Sequence, residues 1–322
     1  MSLEQRSEIR LLVIVFSFNR AMQLDHVLRQ LFKHLLIRDF QVAVVYHTTG
    51  DHQQGYTKLR AQYEQSGSVS FFERQSLTNF TQVLPLLVRP RNLYRYLKYK
   101  QLRTKLDDFK WLLESVLQQS TWEFVMFSSD DTFLYKDTRV PSSVVQSMRE
   151  APADTSFRIY VGNNIVDVPV MLENHGDALA WNYYDKRMYH HWAYPFAVDG
   201  TIFARDPLLR LLRPVLYHNP STLEGFMCKQ FILHKAFRNG FSPLESTMVS
   251  MVLNTVQTVS NNATGSIGVD YLNQKWLEGY MLDFELPARV TQPIMVPEKA
   301  ILRRGSEMVT LENVRSTSCS DS

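Results

Sequence analysis

The chain has 322 residues, 45% hydrophobic and 21% charged, and its 35 Lys and Arg against 32 Asp and Glu leave a formal charge of +3. A sequence this apolar covers a core and still carries a charged surface, which excludes a disordered chain, a collagen and a disulfide scaffold. The net charge is too small to imply nucleic acid, so any electrostatic argument must be local.

The residues before Leu11 carry mixed charge and no secretory-signal architecture. Leu11 to Phe18 is a short, continuous apolar run rich in branched residues, which predicts a strand buried on both faces. It is far too short to cross a bilayer. Leu24, Val27, Leu28, Leu31 and Leu35 then recur at helical spacing within Gln23 to Ile37. Phe40 to Tyr46 predicts a second strand, His47 to Gly55 a polar turn, Tyr56 to Ser66 a polar helix, and Val69 to Glu73 a third strand. This alternation predicts a Rossmann-like, mostly parallel α/β sheet. No G-x-G-x-x-G follows the first strand and no P-loop occurs, so the dinucleotide and Walker fingerprints are absent.

Arg89 to Lys105 holds seven basic residues and no acidic one, with Tyr94, Tyr96 and Tyr99 interleaved. Three readings fit: an anionic membrane surface, a contact to a diphosphate, or a solvated helix face. No nucleic-acid module accompanies it, so no nucleic-acid partner is expected. Asp107 to Gln118 predicts a helix, and Trp122 to Phe127 a buried strand ending in Ser128-Ser-Asp-Asp-Thr. Further elements are a helix over Pro141 to Glu150, a strand over Phe157 to Val161, and an aromatic-rich loop over Asn174 to Tyr194. A strand with a turn over Phe196 to Ala204 and a short helix over Asp206 to Leu212 come next. A helix over Leu223 to Asn239 has Ser221 or Thr222 as its expected N-cap. A strand over Ser246 to Val256 and an amphipathic helix over Leu272 to Leu282 follow. From Arg303 the chain is polar and Ser-rich, and disorder is expected. One α/β domain over 9–256 is therefore expected, with a helical extension over 257–302 and a disordered tail over 303–322. The two cysteines, Cys228 and Cys319, lie far apart, which argues against a disulfide framework and for a reducing compartment. Asn79 and Asn262 match N-x-S/T and are read as chance.

The strongest chemical signal is Asp130-Asp131, directly after an apolar strand. Open α/β sheets bind ligands at the carboxyl ends of their strands, and adjacent carboxylates suit a hard divalent cation. The plain alternative is a solvated turn. Ser17, Asn19 and Arg20 end the first strand and His47 ends the second, so all four would line the same crevice. Tyr189-His-His-Trp-Ala-Tyr194 is dense in aromatic groups; adjacent His190 and His191 point different ways on a strand, which is poor spacing for a metal. Trp192 and Tyr194 are instead candidates for stacking a sugar ring or for core packing, and Asp199 for holding hydroxyls. Glu224 near a helix start is either a general base or a carboxylate favouring the macrodipole.

The ordered set Ser17-Phe-Asn-Arg20, Phe127-Ser-Ser-Asp-Asp-Thr-Phe133 and Glu224 resembles the GT-A fold glycosyltransferases, family 2-like, over residues 9 to 255. The resemblance implies transfer of a sugar from a nucleotide-sugar donor to a saccharide or lipid-linked glycan, with inversion and with Mn²⁺ or Mg²⁺. It implies Asp131 as metal ligand, Ser17, Asn19, Arg20, His47 and Asp130 at the donor, and Trp192 and Tyr194 at the acceptor. Glu224 would be the base, with Asp199 in reserve. One departure is that Ser129 stands where the motif's first Asp belongs, and a hydroxyl cannot supply a second anionic ligand. The alternatives are a nucleotidyltransferase, against which residues 16 to 25 lack both Gly and Lys, and a non-catalytic sugar-binding protein. The expected location is cytoplasmic, or peripheral on the inner face of a membrane.

Overall fold

The computed structural model describes residues 7–77, 80–100, 102, 107–254 and 265–314. Asn79, Asn262, Cys319 and part of the Arg89 to Lys105 stretch lie outside the described residues. The first strand, β1 (Ser7–Phe18), begins four residues before its apolar run. Leu11, Val13 and Val15 enter one core and Leu12, Ile14 and Phe16 another, on opposite faces of the sheet. A strand covered on both sides needs apolar residues at every position, which is why the sequence shows no alternation here. Helix α1 (Ala21–His34) follows and buries Leu24, Val27, Leu28 and Leu31.

Next come β2 (Ile37–His47), α2 (His52–Tyr63) and β3 (Val69–Glu73). A short helix, α3 (Leu84–Leu87), precedes the basic stretch, whose described part forms α4 (Pro90–Lys98). Helix α5 (Phe109–Gln119), β4 (Phe124–Ser129) and β5 (Thr132–Leu134) lead to α6 (Ser142–Glu150) and β6 (Thr155–Arg158). The expected aromatic loop contains two strands, β7 (Glu173–His175) and β8 (Ala178–Asn182). Strand β9 (Thr201–Ala204) runs directly into α7 (Arg205–Leu212). Helix α8 (Pro220–His234) is capped by Asn219, whose Oδ1 accepts from the Thr222 amide at 2.8 Å. The N-cap is thus two residues before Ser221. Pro220 fixes the first helical position, where a missing N–H costs nothing. Strands β10 (Asn239–Pro243) and β11 (Met248–Met251) follow.

The main sheet has the order β3-β2-β1-β4-β9-β6-β10-β8-β7. Strands β1 to β4 are parallel, and only β8 and β9 run against the rest. The sheet is therefore Rossmann-like and mostly parallel. Its strand order reverses between β1 and β4, which is where such sheets open a crevice for ligands.

The C-terminal part departs from the expected helices. It has one helix, α9 (Val269–Leu277), then β12 (Met281–Asp283), β13 (Ile294–Met295), β14 (Lys299–Arg304) and β15 (Glu307–Glu312). Strands β12, β14 and β15 make a separate antiparallel sheet. The disorder expected from Arg303 thus gives way, up to Glu312, to a hairpin that turns at Gly305 with φ 59°. Leu282, Ala300 and Leu302 join the same core as α1, and His26 of α1 lies 3.0 Å from the Leu282 carbonyl. No helix among the described residues is long and apolar enough to cross a membrane.

Candidate functional site

The carboxyl ends of β1 and β4 are tied by one buried cation. Arg20, 7% exposed, places NH1 2.9 Å from Asp130 Oδ1 and 3.0 Å from Asp131 Oδ2. Its Nε donates to Asn254 Oδ1 at 2.9 Å, and its NH2 to the Asn254 carbonyl. Burial alone would lower the guanidinium, but Asp130 and then Asp131 outweigh it and hold it above its usual value. Asp130 has no free edge: Oδ2 accepts from Ser17 Oγ at 2.8 Å and from the Phe18 amide at 3.1 Å. Asp131 is different. Its side chain keeps 20% exposure, and Oδ1 is held by Ser129 Oγ at 2.9 Å.

The other expected donor residues serve this frame. Ser17 sits 2.5 Å from the buried Tyr56 hydroxyl, which also accepts from the Arg20 amide at 3.2 Å. Asn19 adopts φ 56°, a left-handed conformation that Asn tolerates better than most residues. It clamps the end of β2: Nδ2 donates to Thr49 Oγ1 and the Thr49 amide donates back, both at 2.9 Å. The His47 ring stacks on Phe18 at 5.5 Å. Its Nδ1 is buried without a hydrogen-bond partner among the described residues.

A second carboxylate stands beside Asp131. Asp199 Oδ1 lies 2.7 Å from the same Ser129 Oγ. A hydroxyl carries one proton and donates to one carboxylate at a time. Burial, and then the Asp131 charge, push Asp199 up to about 6. The turn after it needs Gly200: φ is 60°, and a Cβ there would meet Met248 Sδ at 2.5 Å. Glu224 follows on α8. It points at the Val198 amide, which donates to Oε1 at 3.2 Å, and is not used to cap its own helix. Burial, and then Asp199, push Glu224 up to about 7. Asp131, Asp199 and Glu224 thus form an arc of recessed carboxylates along the carboxyl edge of the sheet.

The aromatic expectation divides. Trp192 is 1% exposed and packs against Trp181 at 4.9 Å, so it is core and cannot offer a face to a sugar. Tyr194 is half-buried, and the nearby Glu224 charge adds to the burial that pushes its hydroxyl up. Arg158 was not anticipated. It is buried on β6, donates to the His191 and Tyr194 carbonyls at 3.0 and 2.6 Å, and is a positive charge facing Asp199 and Glu224. Asn254 and Tyr56 were missed as well. The only sequence signal for Asn254 is its place at the end of the Met248 to Leu253 run.

The fit of a divalent cation can be judged from the donor set. No cluster of three or more His, Cys, Asp or Glu among the described residues could hold a metal ion. A hard cation can use one or two carboxylates and take its other ligands from water and phosphates. Asp131 fits that arrangement, with Asp199 beside it across the Ser129 hydroxyl. A surface hollow lined by Glu8, Val145 and Arg149 lies beside the start of β1, away from these groups.

No protein-family model matches the chain, and no curated protein does. Some solved structures resemble it. TarS from S. aureus is 16% identical at a TM-score of 0.44, over 76% of this chain and 37% of that one. TarS residues 1–349 in complex with UDP-GlcNAc is 17% identical at 0.39, over 73% and 56%. The mannosyltransferase PcManGT from Pyrobaculum calidifontis, in complex with GDP-Man and Mn²⁺, is 14% identical at 0.29, over 49% and 36%. The chain thus spans little more than a third of TarS. Likenesses this distant carry no argument, and the function is read from the chain's own geometry.

Proposed function

We propose that the chain is a glycosyltransferase that moves a hexosyl group from a nucleotide-sugar donor to a saccharide or lipid-linked glycan. The observation that carries this is the carboxylate arc at the sheet's switch point. One member, Asp131, is partly open beside a guanidinium, and another, Glu224, is poised near neutral pH on a facing helix. The donor lies across the ends of β1, β2 and β4, with Asp131 toward its diphosphate. A divalent cation on Asp131, with Asp199 in support, supplies charge neutralisation for the leaving diphosphate when bound. Asp130, whose oxygens are all engaged, holds Arg20 and so orients Asp131.

Glu224 Oε takes the acceptor hydroxyl proton as that oxygen bonds to the anomeric carbon. The bond from that carbon to the diphosphate oxygen breaks, and a nucleoside diphosphate leaves. One displacement inverts the centre. The Arg158 charge near Glu224 and Asp199 favours their ionised forms and opposes part of the lift from burial. Tyr194 borders the acceptor side. The Arg89 to Lys105 stretch suits work at the inner, cytoplasmic face of a membrane, as in polysaccharide assembly.

A thermal-shift screen of nucleoside diphosphates and nucleotide-sugars, with and without Mn²⁺ or Mg²⁺, tests the donor class, because a specific ligand stabilises by mass action. Binding and slow donor hydrolysis are expected, and Asp131→Ala should reduce hydrolysis by about 100-fold or more. Binding without turnover would support a sugar-binding protein. No stabilisation by any nucleotide-sugar would overturn the proposal.

A further inference from the structure

Helices α3 and α4 carry an outer face that nothing among the described residues covers. Val88 is 79% exposed, Tyr94 60%, Leu97 59% and Leu84 53%. Exposed Arg89, Arg91, Lys98 and Lys100 surround these groups, and Leu84 to Lys100 contains no acidic residue. The helix is fixed from its other side. Asn92 is buried and donates to the Leu86 and Pro214 carbonyls at 3.0 and 2.8 Å, while its Oδ1 accepts from the Leu216 amide. The Arg95 guanidinium lies 4.4 Å over the Phe226 ring, and Tyr99 packs on the same ring at 5.4 Å. The exposure of Tyr94 and Leu97 is therefore held in place by the fold and is not a frayed end.

We propose that this face docks on a bilayer containing anionic lipid. Aliphatic side chains interleaved with cations, and unrelieved by any acid, match a surface that is anionic at the headgroups and apolar just below them. Nucleic acid would use the cations but leave Val88 and Leu97 without a partner. A protein partner would have to ring an apolar groove with acids, whereas an anionic bilayer presents both layers everywhere. Tyrosine settles at the boundary of the two layers, where its ring and hydroxyl are both satisfied. At nine residues α4 is too short to span, so it lies in the plane of the interface.

Flotation of the full chain with phosphatidylcholine vesicles, with and without phosphatidylglycerol, tests the docking. The chain should float only with the anionic vesicles, and less as salt is raised. Leu97→Asp and the pair Arg91→Glu with Lys98→Glu should each weaken flotation about tenfold or more, with the melting temperature unchanged. Nucleoside-diphosphate binding should be unaltered in these variants, so loss of docking and failure of the transferase reading are read separately. Equal binding to neutral vesicles, no flotation at all, variants that float like the parent, or displacement from vesicles by RNA would each overturn the proposal.

Discussion

Glu224 is half-buried and Arg20 is buried, and the surroundings of each set opposite demands. Glu224 has no cation in bonding contact, so burial lifts it to about 7. In its proposed role of base it must be ionised, so kcat should rise with pH through about 7 and level off above. Glu224→Gln should lower kcat roughly 10²- to 10⁴-fold, abolish that limb of the profile and leave donor KM nearly unchanged, all measurable in one pH series. Arg20 is fully paired, so its removal strands Asp130. Arg20→Met should cost about 3–5 kcal/mol in urea unfolding, and adding Asp130→Asn should recover much of it. Lysine is a poor substitute, because a point charge cannot reach Asp130, Asp131 and Asn254 with one fork. Local sequence flagged Arg20, Asp130 and Asp131 but not their mutual pairing, since Asn254 is more than two hundred residues from Arg20. Trp192 was misread for a related reason: an aromatic cluster looks the same in sequence whether it lines a groove or fills a core.

Elements were legible where one physical rule dominates. The β1 run is apolar from Leu11 to Phe16 because both faces are covered, and α1 shows helical spacing because Leu24, Val27, Leu28 and Leu31 fall on the side packed in the core while its last turn opens to solvent. Strand β10 was hidden because Asn239 to Pro243 is short and contains Gly240, whose missing Cβ leaves room for the Trp181 ring. The β14–β15 hairpin was hidden because β15 shows half-buried and exposed positions only. Its one local sign is Gly305 between Arg304 and Glu307, at a two-residue turn. Helix α8 makes a prediction at this scale. The Asn219 side chain and Thr222 satisfy each other's backbone amides, so Asn219→Ala should cost about 1 kcal/mol by denaturant titration. A loosened first turn would also blunt the aim of Glu224.

Across the whole molecule, the C-terminal sheet is bound into the same core as α1, and His26 marks the seam. Its ring lies 4.4 Å from Phe133 and 5.1 Å from Phe284. Burial, and then the Arg29 charge, push it down to about 4. The unfolded chain therefore binds a proton, near the ordinary histidine value, before the folded one does. Stability should fall as pH drops from about 6.5 to about 4, and His26→Gln should flatten that part of the profile in melting curves.

The Arg20 knot also says how such a chain can change over generations. Arg20, Asp130 and Asn254 are all buried, so no one of them can be exchanged alone without leaving a charge or an amide with nothing to answer it. Ser129 and Asp199 have more latitude, because a hydroxyl between two carboxylates can be traded for another small donor. Drift at this edge of the sheet should therefore be concerted at the knot and piecemeal at the arc. A lineage that lost the carboxylate arc could still keep the arginine, simply to stay folded.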